Sequence, residues 1–309
     1  MKQFFRYPFL ASLSIPKLAP VPTMITDDEK KYLYWLARDS ITGQGAIVEI
    51  GTWFGCSVGY LGAGLRDAGK NVPVHCFDRF ELQGIEKKKA RQQGFEHIES
   101  LAQGADIMPV TAAHLRDIYP IHLHKTYIDA IVWDAGLVEL LHLDAPKRAS
   151  DIVHVLKTFV PFFIPGKTIL VLQDFGMPRA YALPLIFGHL HEYFELVTIP
   201  FTNSTMALFS YKKVLENSKD TFEKSCKSVF DSWPIEYVQK IWHTMAAHYT
   251  DRAQKAFFNF GLALYFFRRG DKELAVNIAR ENAPYLALEK ALLLEKRLCT
   301  SLWKSAFKK

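Results

Sequence analysis

Short apolar runs, separated by polar and glycine-containing stretches, recur along the first two thirds of the chain. Ala46–Ile50 is the first, followed by Val74–Phe77, Ile121–Leu123, Val138–Leu143, Thr168–Leu172, Leu196–Ile199 and Met206–Tyr211. Apolar runs this short, bounded by turn residues, read as strands buried on both faces of a parallel sheet. Segments with helical periodicity lie between them, including Ile107–Ile118 and Ile152–Phe163. Strand and helix alternating in this way predict an α/β fold, with a doubly wound, mostly parallel sheet. Phe194–Tyr211 reads as a terminal antiparallel hairpin. Ahead of the first strand, Thr26-Asp27-Asp28-Glu29 has the form of a capping box and predicts a helix running to about Ser40.

From about Glu216 the pattern becomes helical only. Pro234 suits a first helical turn, and Ile235, Val238, Ile241, Trp242 and Met245 form one apolar stripe. A second segment spans Arg252–Phe267, and a third begins at Glu273. The expected organisation is a leader over residues 1–26, a sheet domain over 27–214 and a helical C-terminal subdomain over 215–309. The stripe needs burial, either on the sheet domain or on a second copy of the chain, so a homo-oligomer through these helices is one expectation.

Composition narrows the class. The 309 residues are 49% apolar and 23% charged, which describes a globular chain rather than a disordered one. No apolar stretch is long enough to span a bilayer, and Pro8, Ser12, Ser14 and Pro16 interrupt any signal-peptide core. Cys56, Cys76, Cys226 and Cys299 are too scattered for a disulfide framework, which suggests reduced thiols and a cytoplasmic location. Residues 1–211 hold 20 basic against 21 acidic residues, and residues 212–309 hold 18 against 11. The sheet region therefore offers no basic surface for a nucleic acid, and the tail offers only a modest one.

In an open α/β sheet, ligands sit beyond the carboxyl ends of the strands. The first run leads into Glu49-Ile50-Gly51-Thr52-Trp53-Phe54-Gly55-Cys56-Ser57 and then a helix. Two glycines allow a tight turn whose backbone N–H groups face a ligand. The spacing is Gly-x-x-x-Gly, unlike a dinucleotide fingerprint, and the acid at Glu49 suits a ligand with positive charge. The second run ends at Asp78, where a carboxylate can accept both hydroxyls of a ribose.

These residues resemble the class I S-adenosylmethionine-dependent methyltransferases, whose fold is Rossmann-like. The resemblance implies that Glu49, Gly51, Gly55 and Ser57 line the amino-acid end of S-adenosylmethionine and that Asp78 holds its ribose. It also implies an adenine contact just past the third strand, with Thr126, Tyr127 and Asp129 as candidates.

The fourth and fifth runs end in acids, Asp144 and Asp174, with Lys147 three residues beyond the first. Two carboxylates there can hold a hard divalent cation such as Mg2+, which lowers the pKa of a coordinated hydroxyl while a lysine takes its proton. Asp-x-x-Lys followed by a strand-terminal Asp resembles the metal-dependent O-methyltransferases of the catechol and sugar types, over roughly residues 27–211. Phe175 departs from both, since one type carries Asn after the second acid and the other often a further acid. The resemblance implies a catalytic edge of Lys147, Asp144 and Asp174, with Asp144 and Asp174 as metal ligands. The acceptor would be a small hydroxylated molecule, carbohydrate or phenolic.

A competing reading is a degenerate, non-catalytic cofactor-binding protein with a helical interaction module, motivated by Phe175. His142 alternates into the strand interior and reads as a core histidine. Lys87-Lys88-Lys89-Ala90-Arg91 reads as a solvated helix face, with a lid or phosphate contact as the alternative. Neither an Asn-Pro-Pro-Tyr loop nor a Pro-Cys dipeptide is present, which argues against DNA-adenine, protein-glutamine and cytosine-C5 substrates.

Overall fold

The computed structural model describes residues 10, 12–216, 222 and 232–286. The seven predicted strands form, each within two residues of its expected bounds: β1 (Ala46–Ile50), β2 (Val74–Asp78), β3 (His122–Lys125), β4 (Val138–Leu143), β5 (Ile169–Leu172), β6 (Phe194–Thr198) and β7 (Ala207–Tyr211). Their order is β3-β2-β1-β4-β5-β7-β6, with β1 parallel to β2 and β4, β2 parallel to β3, and β6 antiparallel to β7. This is the expected mostly parallel sheet with a terminal hairpin. Among the described residues, no helix is long and apolar enough to cross a membrane. The chain forms two compact units, one of residues 10–146 and 158–171 and one of 147–157 and 172–286, counting described residues only.

In the first unit the capping box closes as expected. Thr26 N–H donates to Glu29 Oε2 at 2.6 Å, and Glu29 N–H donates to Thr26 Oγ1 at 3.3 Å. Helix α1 (Asp27–Trp35) follows and ends in a π-helical turn over Leu36–Ser40. Every residue of β1 is buried, and α2 (Cys56–Asp67) packs against α1. Glu139, an acid inside the apolar run of β4, is buried. It accepts from Thr42 N–H (2.6 Å), Thr42 Oγ1 (2.7 Å), Gly43 N–H (2.9 Å) and Gln44 N–H (2.9 Å). Those charge-assisted bonds tie down the chain entering β1 and offset the cost of burying the carboxylate.

Between β2 and β3 the chain makes α3 (Gly84–Gln92), α4 (Glu96–Glu99) and α5 (Met108–Leu115). Phe54, Phe80, Leu82, Ala90, Ile98 and Ile107 close a small core there, with Val21 of the leader packed on it. The leader is also clamped to α3 in both directions, Thr23 N–H donating to Gln93 Oε1 (2.8 Å) and Gln93 Nε2 to Thr23 O (2.6 Å). The basic run lies on α3, where Lys87 Nζ donates to Leu101 O at 2.6 Å and so braces the insertion.

The second unit contains most of α6 (Ala149–Phe159), α7 (Ala182–His189), the β6–β7 hairpin, α8 (Ile235–Ala246), α9 (Arg252–Arg269) and α10 (Lys272–Asn282). Asp251 caps α9 by accepting from Gln254 N–H at 2.7 Å, and Gly270 ends it in a left-handed conformation. Val238, Ile241, Trp242 and Met245 of the predicted stripe are buried, with α8 packed on α7 and α9. The chain's own residues cover these four, while Ile235 is half-buried. Gln254 extends from α9 to donate to Phe201 O (2.6 Å) and Ser204 O (2.9 Å), both in the β6–β7 connection.

Candidate active site

The turn after β1 is built by backbone conformation. Gly51 (φ 98°) and Gly55 (φ 83°) are left-handed, and a Cβ on Gly51 would lie only 2.7 Å from Ala145 N. Glycine at 51 thus lets the turn approach the chain leaving β4. Gly55 brings no side chain to the N-terminus of α2, whose first turn receives no side-chain cap. Such an end attracts anionic groups.

Glu49 points beneath this turn. It is fully buried, and its Oε1 accepts from Ser57 Oγ at 2.5 Å and faces His142 Nδ1 at 2.9 Å. The expected core histidine is therefore a buried partner of the acid at the end of β1. Alternation carried the signal, since Glu49 and His142 are register partners on neighbouring strands. Beside them, burial and the Glu49 charge drive the Cys76 thiol pKa well upward.

Asp78 ends β2 half-buried. Its Oδ2 accepts from Trp53 N–H (2.8 Å) and its Oδ1 from Phe80 N–H (2.7 Å). Each oxygen keeps a lone pair for a further donor. Thr126, just past β3, donates its N–H to Asp78 O at 2.8 Å. Tyr127 is exposed and gives its hydroxyl to Glu81 Oε1 at 2.9 Å, a bond that raises the phenol pKa, and Asp129 is exposed in the following turn. The first unit thus brings Gly51, Gly55, Ser57, Asp78 and Thr126 to one sheet edge, with Tyr127 and Asp129 farther out.

Residues 48–175, from β1 through the end of β5, match a family model described as a methyltransferase domain. These residues have the fold of the class I S-adenosylmethionine-dependent methyltransferases. No curated protein matches the chain. Similar solved structures include the O-methyltransferase NovP, 16% identical, covering 63% of this chain and 84% of that one, with a TM-score of 0.49. CalS11, a TDP-rhamnose 3'-O-methyltransferase of calicheamicin biosynthesis, is 16% identical over 60% and 77% of the two chains, with a TM-score of 0.43. The Podospora anserina methyltransferase PaMTH1 is 14% identical over 62% and 80%, with a TM-score of 0.39.

The predicted acids follow β4 and β5. Asp144 follows β4 directly, half-buried, with its N–H donating to Ile50 O at 2.9 Å; this seats it beside the glycine turn in the first unit. In the second unit Lys147 Nζ and Asp174 Oδ2 form an ion pair. Asp174 is mostly buried, whereas Lys147 keeps 43% of its side chain exposed. Phe175 turns the other way. It is fully buried, with ring centroids 5.2 Å from Phe209 on β7 and 5.8 Å from Phe258 on α9. The position where the sequence resemblance implied a polar residue is thus an aromatic core position, packed against α9.

The pair of acids expected to hold a divalent cation, Asp144 and Asp174, gains no third acidic, histidine or cysteine ligand among the described residues. The carboxylate of Asp174 is engaged by Lys147.

Proposed function

We propose that the protein transfers the methyl group of S-adenosylmethionine to a hydroxyl of a small carbohydrate or phenolic acceptor. The observation that carries this reading is the Lys147–Asp174 ion pair just past the end of β5. The Asp144-x-x-Lys147 spacing and the cofactor turn support it. An acceptor oxygen attacks the sulfonium methyl, the C–S bond breaks with its electrons passing to sulfur, and the hydroxyl proton must leave. Pairing favours the ammonium form of Lys147, so the proton acceptor of the pair is the Asp174 carboxylate rather than the amine expected from the sequence. Lys147 holds that carboxylate and, as a cation, stabilises the developing oxyanion. Asp144, adjacent to the glycine turn, orients the acceptor toward the methyl group. On this reading Gly51, Gly55 and Ser57 receive the amino-acid end of the cofactor, Asp78 the ribose, and the Thr126–Asp129 segment the adenine.

Release of S-adenosylhomocysteine in the presence of sugars, nucleotide sugars and phenols tests the proposal. Turnover with at least one hydroxylated acceptor, and none with amine counterparts, is the expected result. Phe175 favours a second reading, a cofactor-binding protein that transfers nothing. Tight S-adenosylhomocysteine binding with no turnover on any acceptor would select it.

A further inference from the structure

Register places Glu49 opposite both Cys76 and His142, so three polar side chains leave the same face of β2, β1 and β4. The strand neighbours of Glu49 and His142 are apolar, and Val48, Ile50, Leu141 and Leu143 are buried. A chain needing only a packed core here could continue the apolar pattern, because burying a carboxylate costs several kcal/mol in desolvation. The pair instead reaches a third residue. Ser57, in the first turn of α2, donates its hydroxyl to the same Glu49 oxygen that faces His142. A carboxylate offers only lone pairs, which puts the imidazole proton on Nδ1 and turns the serine proton inward.

Ser57 is itself buried, and the consequence lies on the side of its hydroxyl away from Glu49. With its one proton committed to Glu49, the hydroxyl oxygen presents only lone pairs to a ligand, and lone pairs receive a cation. The N–H groups of the first turn of α2 meanwhile suit an anion. An amino acid's ammonium and carboxylate are thereby told apart.

We propose that His142 is a positioning residue of the cofactor site: through Glu49 it orients the Ser57 hydroxyl to accept from the α-ammonium group of S-adenosylmethionine. The inference rests on the reading of Gly51–Ser57 as the amino-acid end of that site. Without the imidazole, Glu49 loses the donor that fixes the orientation of its Oε1, and with it the geometry of the Ser57 hydroxyl bond. The hydroxyl then turns outward as a donor and no longer favours an ammonium.

Calorimetry with S-adenosylhomocysteine and its deaminated analogue, in which hydrogen replaces the α-amino group, reads this directly. Wild type is expected to prefer the amino compound by tenfold or more. His142→Leu should lose most of that preference by weakening the amino compound alone, and His142→Asn, which keeps a donor where Nδ1 stood, should restore it. Should His142→Leu fail to fold, Ser57→Ala carries the same expectation from a helix position. Equal weakening of both ligands, or an unchanged preference in either variant, overturns the inference. A wild type that binds both ligands equally overturns it too, but leaves the cofactor site standing. Wild type that binds neither ligand overturns the cofactor-site reading and the inference with it.

Discussion

Asp78 holds Trp53 in place: its Oδ2 accepts the Trp53 backbone N–H at 2.8 Å, while its Oδ1 takes that of Phe80 at 2.7 Å. Trp53 (φ 49°) and Phe80 (φ 51°) are the two non-glycine residues with left-handed backbone among those described. Side chains disfavour that conformation by roughly 1–2 kcal/mol each. One carboxylate therefore stabilises both unfavourable turns, one after β1 and one after β2. Its role in the cofactor site and its role in shaping the turns are coupled.

Asp78→Ala is accordingly predicted to lower S-adenosylhomocysteine affinity by roughly 10- to 150-fold, the equivalent of about 1.5–3 kcal/mol. Asp78→Asn keeps an acceptor for one turn and should fall between the two. Calorimetry on folded variants measures both, and wild-type affinity in Asp78→Ala would remove the ribose assignment.

At the reacting edge, Asp174→Asn is expected to cost about 10²–10⁴ in kcat once an acceptor is known, since it removes the proton acceptor. Lys147→Ala should also slow turnover, with S-adenosylhomocysteine affinity nearly unchanged in both. Because Lys147 already engages the Asp174 carboxylate, chelator treatment is expected to leave wild-type turnover intact. Loss of activity in chelator, restored by Mg2+, would assign the edge to a metal instead.

His75, His122 and His124 stack on β2 and β3, with His75 Nδ1 3.0 Å from His124 Nε2. Burial first, and then the two neighbouring imidazoles, lower the His75 pKa to about 4 from an ordinary 6.5. The folded state thus binds this proton less readily than the unfolded one. The stability contributed is complete above about pH 6.5 and is lost as pH falls toward 4. Urea midpoints should drop across that window, and His75→Phe should flatten the drop. An equally steep drop in the variant would place the acid sensitivity elsewhere.

The Tyr249 hydroxyl is buried with no hydrogen-bond partner among the described residues, and burial raises its pKa strongly. Its ring lies 4.6 Å from that of Phe258, in the aromatic core that receives Phe175. Tyr249→Phe keeps the ring and removes the unsatisfied group, so a gain of about 1 kcal/mol is predicted. Thermal melting should show a higher Tm, and a lower one would mean that the hydroxyl has a partner.

Much of this protein is legible from residues close in sequence. Strand positions follow from short apolar runs, and the capping box from Thr26 and Glu29 three residues apart. The turn after β1 follows from two glycines, and Asp78 from its place at a strand end. Each is decided by local periodicity or backbone conformational preference, and neither needs a distant partner. The pairings across the chain are of another kind. Glu139 gathers donors from residues 42–44, Glu49 meets His142 only because β1 and β4 pair in one register, and Asp174 gains Lys147 by return of the chain. Phe175 read as a departure from a polar motif, yet its surroundings were set by Phe258, more than eighty residues later in the chain. A buried acid, histidine or aromatic ring takes its role from whichever group folding brings within about 3–6 Å, because hydrogen bonds and ring contacts act only at that range. The sequence alone determined where the sheet edge lies and which acids stand on it; the tertiary structure decided which of those acids are already paired, because pairing depends on strand register and on the return of distant segments.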